Sequence, residues 1–191
     1  MKTFRTLDTF DMNAVYSIQT PEDSSHIDLQ DTAMLVFTDF MKYQPRMLEE
    51  NASVDEALEM MRKTHVRMNL VIDQEEHFKG IISLLDLQSS KVMSASTNLS
   101  LSRSDLSVRD VMLPKEKLHA ITLSELRRAC IGDVVKTMQY YGDQHALVVD
   151  DADGHILRGI VSASDIARAL HIPLLIGDRA NSFADIYRAL H

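Results

Sequence analysis

The chain has little of several residue types, and each shortage narrows what it can be. It contains one cysteine, no tryptophan, four prolines and six glycines among 191 residues, and aromatic side chains make up 6%. A single cysteine excludes an internal disulfide and any zinc site built from paired cysteines, so Cys130 is expected to be a small buried apolar residue. With so few aromatic rings, leucine, isoleucine, valine and the eleven methionines must fill the core.

Basic residues and long apolar runs are also scarce. The 20 Lys and Arg oppose 28 Asp and Glu, and the formal net charge is −8. An acidic surface repels phosphate backbones, so no nucleic-acid partner is expected. The longest apolar run near the N-terminus, residues 33–37, is far shorter than the roughly 20 residues that span a membrane. Since no signal-peptide pattern is visible either, we expect a cytoplasmic protein with no membrane partner.

What the chain does contain is an internal repeat. Its length and its ordinary globular composition allow one domain or two small ones. Four segments occur twice in the same order, and the pairs are 38–41 with 109–112, 54–61 with 131–138, 70–73 with 147–150, and 80–86 with 159–165. The repeat predicts two half-size units that bury their faces against each other, and therefore one module.

Each copy of the repeat predicts the order helix, strand, turn, strand, helix. In the first copy, Ser53 and Glu56 are spaced as a capping box. The apolar residues that follow recur at i, i+3, i+4 and i+7, which is typical of one buried helix face. Two short apolar strands come next, and residues 150–154 supply the turn between them in the second copy.

These motifs resemble those of tandem cystathionine-β-synthase (CBS) domain proteins, whose paired repeats form a Bateman module. The marks are Asp-aromatic/aliphatic-Met near each repeat start and Gly-h-h-Ser-x-x-Asp at each repeat end, where h is apolar. The resemblance covers about residues 36–170. It implies an α+β fold in which two pseudo-twofold related repeats of β-α-β-β-α type pack through their sheets, with an N-terminal extension and a C-terminal helix.

The resemblance also divides the chain. Eight of the 20 residues over 88–107 are serine, which predicts a helix tail and then a flexible surface connection. Near the C-terminus, Asn181 or Ser182 is expected to cap a tail helix. The five parts are residues 1–35 as N-terminal extension, 36–87 as first repeat, 88–107 as Ser-rich linker, 108–170 as second repeat and 171–191 as tail helix.

The function that the resemblance implies is regulatory ligand binding and not catalysis. Such repeats offer two equivalent sites in the cleft between them. The expected regulatory ligands are AMP, ADP, ATP, NAD or S-adenosylmethionine, with no catalytic cofactor. Two modules commonly pair into a disc-shaped dimer, so a homodimer and an unidentified protein partner are expected. The alternative is a structural dimerisation module that binds no physiological nucleotide.

The two Gly-h-h-Ser-x-x-Asp motifs are the strongest candidate ligand sites. Each places a helix start directly after a strand, where free backbone N–H groups favour an anion. The hydroxyls of Ser83 and Ser162 can bond phosphate or ribose, and the carboxylates of Asp86 and Asp165 can accept from both ribose hydroxyls. The same four residues are also ordinary helix caps, and that alternative stays open.

The residues inside the two motifs favour the second site. Ala163 and Ser164 leave more room beside Asp165 than Leu84 and Leu85 leave in the first copy. We therefore expect the Asp165 site to bind a ligand better than its counterpart.

Five further residues complete the expected site. By resemblance, the segment entering the first paired strand lines the adenine and phosphate region, and the first-strand segment lines the base pocket. The candidates are His145 and Arg67 at the strand starts, Arg168, and Ala120 with Ile121 on the first strand. Arg168 lies one turn after Asp165 and either reaches a phosphate or pairs with Asp165. For Ala120 and Ile121 the alternative is plain core packing.

No metal site and no catalytic set is predicted. The eight histidines lack zinc-site spacing. Residues 151–154 look like half of a calcium loop, but Val149 and Ile160 would occupy its first and last ligand positions and cannot ligate. One departure from the family pattern concerns the paired strands, where Asn69 and Ala146 stand at positions that often hold proline.

Overall fold

The computed structural model describes residues 5–9, 12–18, 27–152 and 156–171. The elements of the first half are β1 (Phe37–Asp39), β2 (Met47–Glu49), α1 (Val54–Lys63), β3 (Met68–Ile72), β4 (Phe78–Ser83), α2 (Leu84–Gln88) and α3 (Ser90–Leu99). Those of the second half are α4 (Val108–Val111), β5 (Leu113–Pro114), β6 (Ala120–Thr122), α5 (Leu123–Leu126), α6 (Ile131–Tyr141), β7 (His145–Asp150), β8 (Ile156–Ser162) and α7 (Ala163–Ala169). Nearly all of the expected tail helix, and the end of the β7–β8 turn, lie outside the described residues.

The helices form where the apolar spacing predicts them. Helix α1 buries Val54, Ala57 and Met61 on one face, and α6 buries the corresponding side chains of the second repeat. The start of α1 differs in detail from the expected capping box, because the Ser53 hydroxyl accepts from the N–H of Asp55.

Cys130 is not the buried apolar residue that its isolation in the sequence suggests. It is partly exposed and occupies the N-cap position of α6. Both its N–H and its thiol donate to Asp133 Oδ2, at 3.0 and 3.2 Å. Those hydrogen bonds lower the pKa of Asp133 below its usual value. A cysteine therefore occupies the N-cap position that serine, threonine, aspartate or asparagine commonly fills.

Two four-stranded sheets form the centre of the molecule, with strand orders β2-β3-β4-β5 and β1-β8-β7-β6. In each repeat a parallel strand precedes an antiparallel pair, β2-β3-β4 in the first and β6-β7-β8 in the second. The fourth strand of each sheet is exchanged. Strand β1, at the start of the first repeat, pairs with β8 of the second, while β5, near the start of the second repeat, pairs with β4 of the first.

The exchanged strands approach two glycines closely. A Cβ atom on Gly159 would lie 2.3 Å from the carbonyl oxygen of Thr38, and one on Gly80 would lie 2.2 Å from that of Leu113. The register sets Asp39 opposite Gly159 and Pro114 opposite Gly80. Asp39 is thus the counterpart of Pro114, so the sequence match of residues 38–41 with 109–112 is displaced from the structural equivalence by four residues.

An ion-pair cluster also holds β1 on the second repeat. The Arg158 guanidinium donates to both carboxylate oxygens of Asp39, at 2.8 and 3.0 Å, and to Asp150 at 2.9 Å. The hydrogen bonds from Arg158 hold the pKa of Asp39 below its usual value. Because these groups are 27%, 14% and 20% exposed, water screens the cluster only in part.

Three apolar clusters build the core. One lies between each sheet and its helices, and the third joins the two sheets face to face. We call this third cluster the seam, and its buried members are Leu70, Ile81, Leu147 and Ile160. Two leucine/isoleucine pairs, one from each repeat, therefore meet across the pseudo-twofold axis. The predicted packing of the repeats through their sheets is confirmed.

Two segments outside the predicted repeats contribute side chains to the core. The Ser-rich segment 88–107 contains α3, which buries Val92 and Ala95 in the helix-side core of the first repeat. Within residues 1–35, Ala33 packs into the helix-side core of the second repeat. Among the described residues, no helix is long and apolar enough to cross a membrane.

Candidate functional site

Both Gly-h-h-Ser-x-x-Asp motifs form strand-to-helix junctions, and the first lies between β4 and α2. The Ser83 hydroxyl donates to Asp86 Oδ2 at 2.6 Å, and the N–H of Asp86 donates back to Ser83 Oγ at 3.0 Å. The N–H of Ser83 donates to the same carboxylate at 3.1 Å. The other carboxylate oxygen accepts from the Lys91 ammonium. All of these groups are supplied within one turn and the start of α3.

The second junction, between β8 and α7, repeats this geometry. The Ser162 hydroxyl donates to Asp165 Oδ2 at 2.6 Å, and the N–H of Asp165 donates to Ser162 Oγ at 3.0 Å. Arg168 donates to Asp165 Oδ1 at 2.8 Å, which is the ion pair offered as its alternative role. The Asp165 side chain is 32% exposed and that of Asp86 is 15% exposed. The second junction is therefore the more open of the two.

The charges of the aspartates in both junctions act on His145. It is the first residue of β7 and lies opposite Ser162 in the β7–β8 pair. Burial lowers the pKa of His145 below its usual value, while the negative charges of Asp165 and Asp86 act in the opposite direction. The carboxylates of both repeats therefore lie within electrostatic range of this one imidazole.

The residues inside the two motifs point in different directions. Leu84 packs against the helix-side core of the first repeat and Ala163 is buried in that of the second. Neither side chain therefore narrows a cleft between the repeats. Leu85 is 63% exposed, and its counterpart Ser164 is partly buried. The sequence predicted that smaller side chains leave more room at the second motif. In the structure, only the difference between Leu85 and Ser164 can affect the access of a ligand to the junctions.

Arg67 and His145 are not equivalent positions. In the strand register, Met68 lies opposite Ser83 as His145 lies opposite Ser162. Arg67 precedes that position, is exposed, and uses its carbonyl oxygen to accept from the N–H of Leu84 at 2.8 Å. Its guanidinium is a cation near the first junction. The second junction has Gln144 at this place, and its carbonyl accepts from Ala163.

Ala120 and Ile121 line an open cleft between β6 and α6 with a volume of about 890 Å³. Ala146 on β7 and Met138 on α6 also contribute to its apolar wall. The junction residues Ser162 and Asp165 are not among its described lining residues. The sequence thus grouped residues that the structure distributes over two neighbouring surfaces, the junctions and this cleft.

The lining of the cleft includes an aromatic stack. The rings of His119 and Tyr141 lie 3.9 Å apart at 22°, and His119 Nδ1 is 3.8 Å from Asp143 Oδ2. Burial raises the pKa of Asp143, and the nearby His119 opposes that effect. A flat aromatic surface beside a partly desolvated carboxylate suits a planar ring that carries hydrogen-bond donors.

Comparison with known proteins decides the family. The model of the CBS domain matches residues 37–91 and 131–172, a little over half of the chain. The chain belongs to the CBS domain family. No curated protein matches the sequence.

Solved structures of other CBS proteins share the fold. An uncharacterized conserved protein from Pyrococcus horikoshii is 20% identical, with a TM-score of 0.55 over 79% of this chain and 100% of that one. CBSX2 in complex with AMP is 24% identical, with a TM-score of 0.53 over 73% of this chain and 95% of that one. A conserved CBS domain protein of unknown function from Thermoplasma acidophilum is 19% identical, with a TM-score of 0.52 over 81% and 76%.

Two features of the candidate site in this CBS pair were not predicted from the sequence, an ion pair and a strand equivalence. Lys91 neutralises Asp86 from the start of α3, and only its position five residues after that aspartate hints at the contact. The first-repeat counterparts of Ala120 and Ile121 are Met47 and Leu48, as the parallel registers with β3 and β7 show. A three-residue strand has no periodicity from which this equivalence could be recognised.

Proposed function

We propose that this CBS pair is a regulatory module that binds an adenosine-type ligand between its repeats and passes the resulting change to a protein partner. The observation that carries the proposal is that the same Ser–Asp junction follows the last strand of each repeat, while the sheets of the two repeats pack face to face through the seam. In the proposed complex, the two junctions offer hydroxyls and carboxylates to the ligand. The solved complex of the similar CBSX2 with AMP supports this ligand class.

Each junction residue has a role in the proposed complex. The carboxylate of Asp165 keeps lone pairs for a ribose diol even while it caps α7, because each oxygen accepts more than one hydrogen bond. Arg168 is 74% exposed and turns from Asp165 toward a phosphate. His145 and Arg67 add positive or neutral donors at the strand starts. Ala120 and Ile121 supply apolar contact for the base within the β6–α6 cleft.

The second junction is proposed as the stronger site. Its aspartate is about twice as accessible as Asp86, and Ser164 replaces the exposed Leu85 beside it. The signal in this mechanism is a population shift, since a ligand that favours one packing of the repeats stabilises that packing. We also propose that the chain acts as a homodimer in the cytoplasm. Native mass spectrometry of the purified protein tests the dimer and detects any co-purified nucleotide.

Isothermal titration with AMP, ADP, ATP, NAD and S-adenosylmethionine tests the site. Asp165→Ala should weaken binding of the preferred ligand by at least about tenfold, because a hydrogen bond to a charged group is lost. The matched control is Asp110→Ala, since Ser107 and Asp110 form the same capping box on α4, away from both junctions. An unchanged affinity for Asp165→Ala together with loss of binding for Asp86→Ala would reverse the ranking.

A structural dimerisation module is the second candidate, and one observation favours it. Both aspartates already complete a helix cap and an ion pair within the protein. A ligand that binds only the folded state must raise its melting temperature. No shift with any of the five ligands at millimolar concentration would support the structural role and reject the sensor.

A further inference from the structure

Among the residues that the structure describes, one buried polar side chain lacks a hydrogen-bond partner. Asn69, on β3, is 2% exposed, and its Nδ2 has no hydrogen-bond partner among the described residues. The other buried polar residue, Glu50, accepts from Arg109 Nε at 3.1 Å. The amide of Asn69 is therefore an exception within the described part of the chain.

The strand registers show where this amide lies. Asn69 is opposite Ile82 in the β3–β4 pair, and Ala146 is opposite Val161 in the β7–β8 pair, so the two residues are equivalent. Ala146 forms part of the wall of the cleft between β6 and α6. Side chains alternate along a strand, and the next residue, Leu70, belongs to the seam. Asn69 therefore faces the helix side of its sheet, toward the matching place between β2 and α1.

A buried donor without an acceptor destabilises the folded protein, and an apolar side chain of similar size would not carry that cost. Unsatisfied buried groups are rare in folded proteins, and a functional role is one explanation for such a group. The equivalent position holds alanine in the second repeat, so the fold itself does not require an amide here. The polarity of this position is specific to the first repeat.

Building on the proposed adenosine-type ligand, we propose that Asn69 Nδ2 donates a hydrogen bond to a ring nitrogen of a purine base bound against the first repeat. The donor is held dry and in place before the ligand arrives, and the base supplies the missing acceptor. The two halves of the CBS pair are then chemically different, with an amide donor in the first repeat and the apolar Ala146 in the second. Asn69 then favours bases that place a ring nitrogen acceptor within hydrogen-bond distance of its Nδ2.

The variant Asn69→Leu tests this role, because leucine keeps the volume and removes the amide. In the absence of ligand its melting temperature should rise by roughly 3 °C, as the unsatisfied donor is gone. Its affinity for AMP at the first-repeat site should fall by roughly three- to tenfold, the effect of one neutral hydrogen bond. Isothermal titration, fitted for two sites, measures the second quantity.

The acceptor is identified with AMP analogues in which N1, N3 or N7 is replaced by carbon. For the protein with Asn69, one analogue should bind roughly three- to tenfold more weakly than AMP, and for Asn69→Leu the same analogue should equal AMP. Val71→Ala, on the same face of β3, is the packing control and should lower the melting temperature while keeping this discrimination. A lower melting temperature of Asn69→Leu with unchanged AMP affinity would show a purely structural residue.

The outcomes separate this inference from the proposed function. If the natural sequence binds AMP, and Asn69→Leu binds AMP and each of the three analogues as tightly as the natural sequence binds them, the role of Asn69 is rejected and the sensor stands. If the natural sequence binds none of the adenosine-type ligands, both proposals fail.

Discussion

Individual residues differ between the repeats where a ligand would meet them, and His145 is the clearest case. Its counterpart in the first repeat is Met68, so an ionisable ring replaces a thioether at the start of the paired strands. The ring lies near Asp165 and Asp86, yet burial outweighs their attraction and lowers the pKa of His145. At this position the tertiary environment, and not the local sequence, sets the charge.

The shifted pKa of His145 predicts a pH dependence of stability. Because this pKa lies below the ordinary 6.5, the unfolded chain takes up a proton at a higher pH than the folded chain does. The stabilisation is complete above pH 6.5 and is lost as the pH falls from there toward the lowered pKa. Compared with His145→Gln, the natural sequence should lose at most about 1.4 kcal/mol per pH unit in this window.

Urea unfolding at several pH values between 7.5 and 5 measures this difference, and NMR titration of the imidazole reports the pKa directly. Asp165→Asn should lower the pKa of His145 further, since one of the two opposing carboxylates is removed. Parallel stability curves for the natural sequence and His145→Gln would contradict the prediction.

At the scale of elements, the exchanged strands β1 and β5 are what the sequence least reveals. They are three and two residues long, and each pairs into the sheet of the other repeat. The glycines of the repeated motif make this exchange sterically feasible, because the neighbouring backbone occupies the space of a Cβ atom. Gly80 and Gly159 therefore serve strand packing, whereas the serine and aspartate of the same motif form the junctions.

Gly159→Ala should displace β1 and lower the free energy of unfolding by about 1–3 kcal/mol, the usual cost of overpacking. Hydrogen exchange at the N–H of Phe40, which donates to the Arg158 carbonyl, should accelerate at the same time. Gly142→Ala is the matched control, because Gly142 has a positive φ of 72° but open space around it. That variant should lose stability without faster exchange at Phe40, and an unaltered β1 in Gly159→Ala would refute the steric role.

For the whole molecule, the seam and the exchanged strands couple the two repeats into one folding unit. Leu147→Ala should lower the free energy of unfolding by about 2–5 kcal/mol, as expected for a buried leucine. Because each sheet holds a strand from the other half, exchange protection should fall equally in β3–β4 and in β7–β8. The exposed Leu85→Ala provides the control with little effect, while loss of protection in the second sheet alone would indicate two independent units.

Much of this organisation was predictable from local patterns. Apolar spacing marked α1 and α6, and the duplicated motif located both junctions, because these features depend on residues a few positions apart. The Ser-rich segment was predicted as a helix tail and then a flexible connection, and the composition did not reveal that Val92 and Ala95 anchor a separate helix, α3. Cys130 was misjudged because a cap depends on position, not on residue type alone.

The sequence by itself determined that this protein is a duplicated α+β module with a Ser–Asp pair after the last strand of each copy. Only the tertiary structure decided which strand completes each sheet, which carboxylates lie near His145, and that the Asn69 amide is buried without an acceptor in the described part of the chain. The physical reason is the same in each case. Local spacing specifies hydrogen bonds and faces within an element, but steric fit, burial and charge at these positions come from groups far away in the chain.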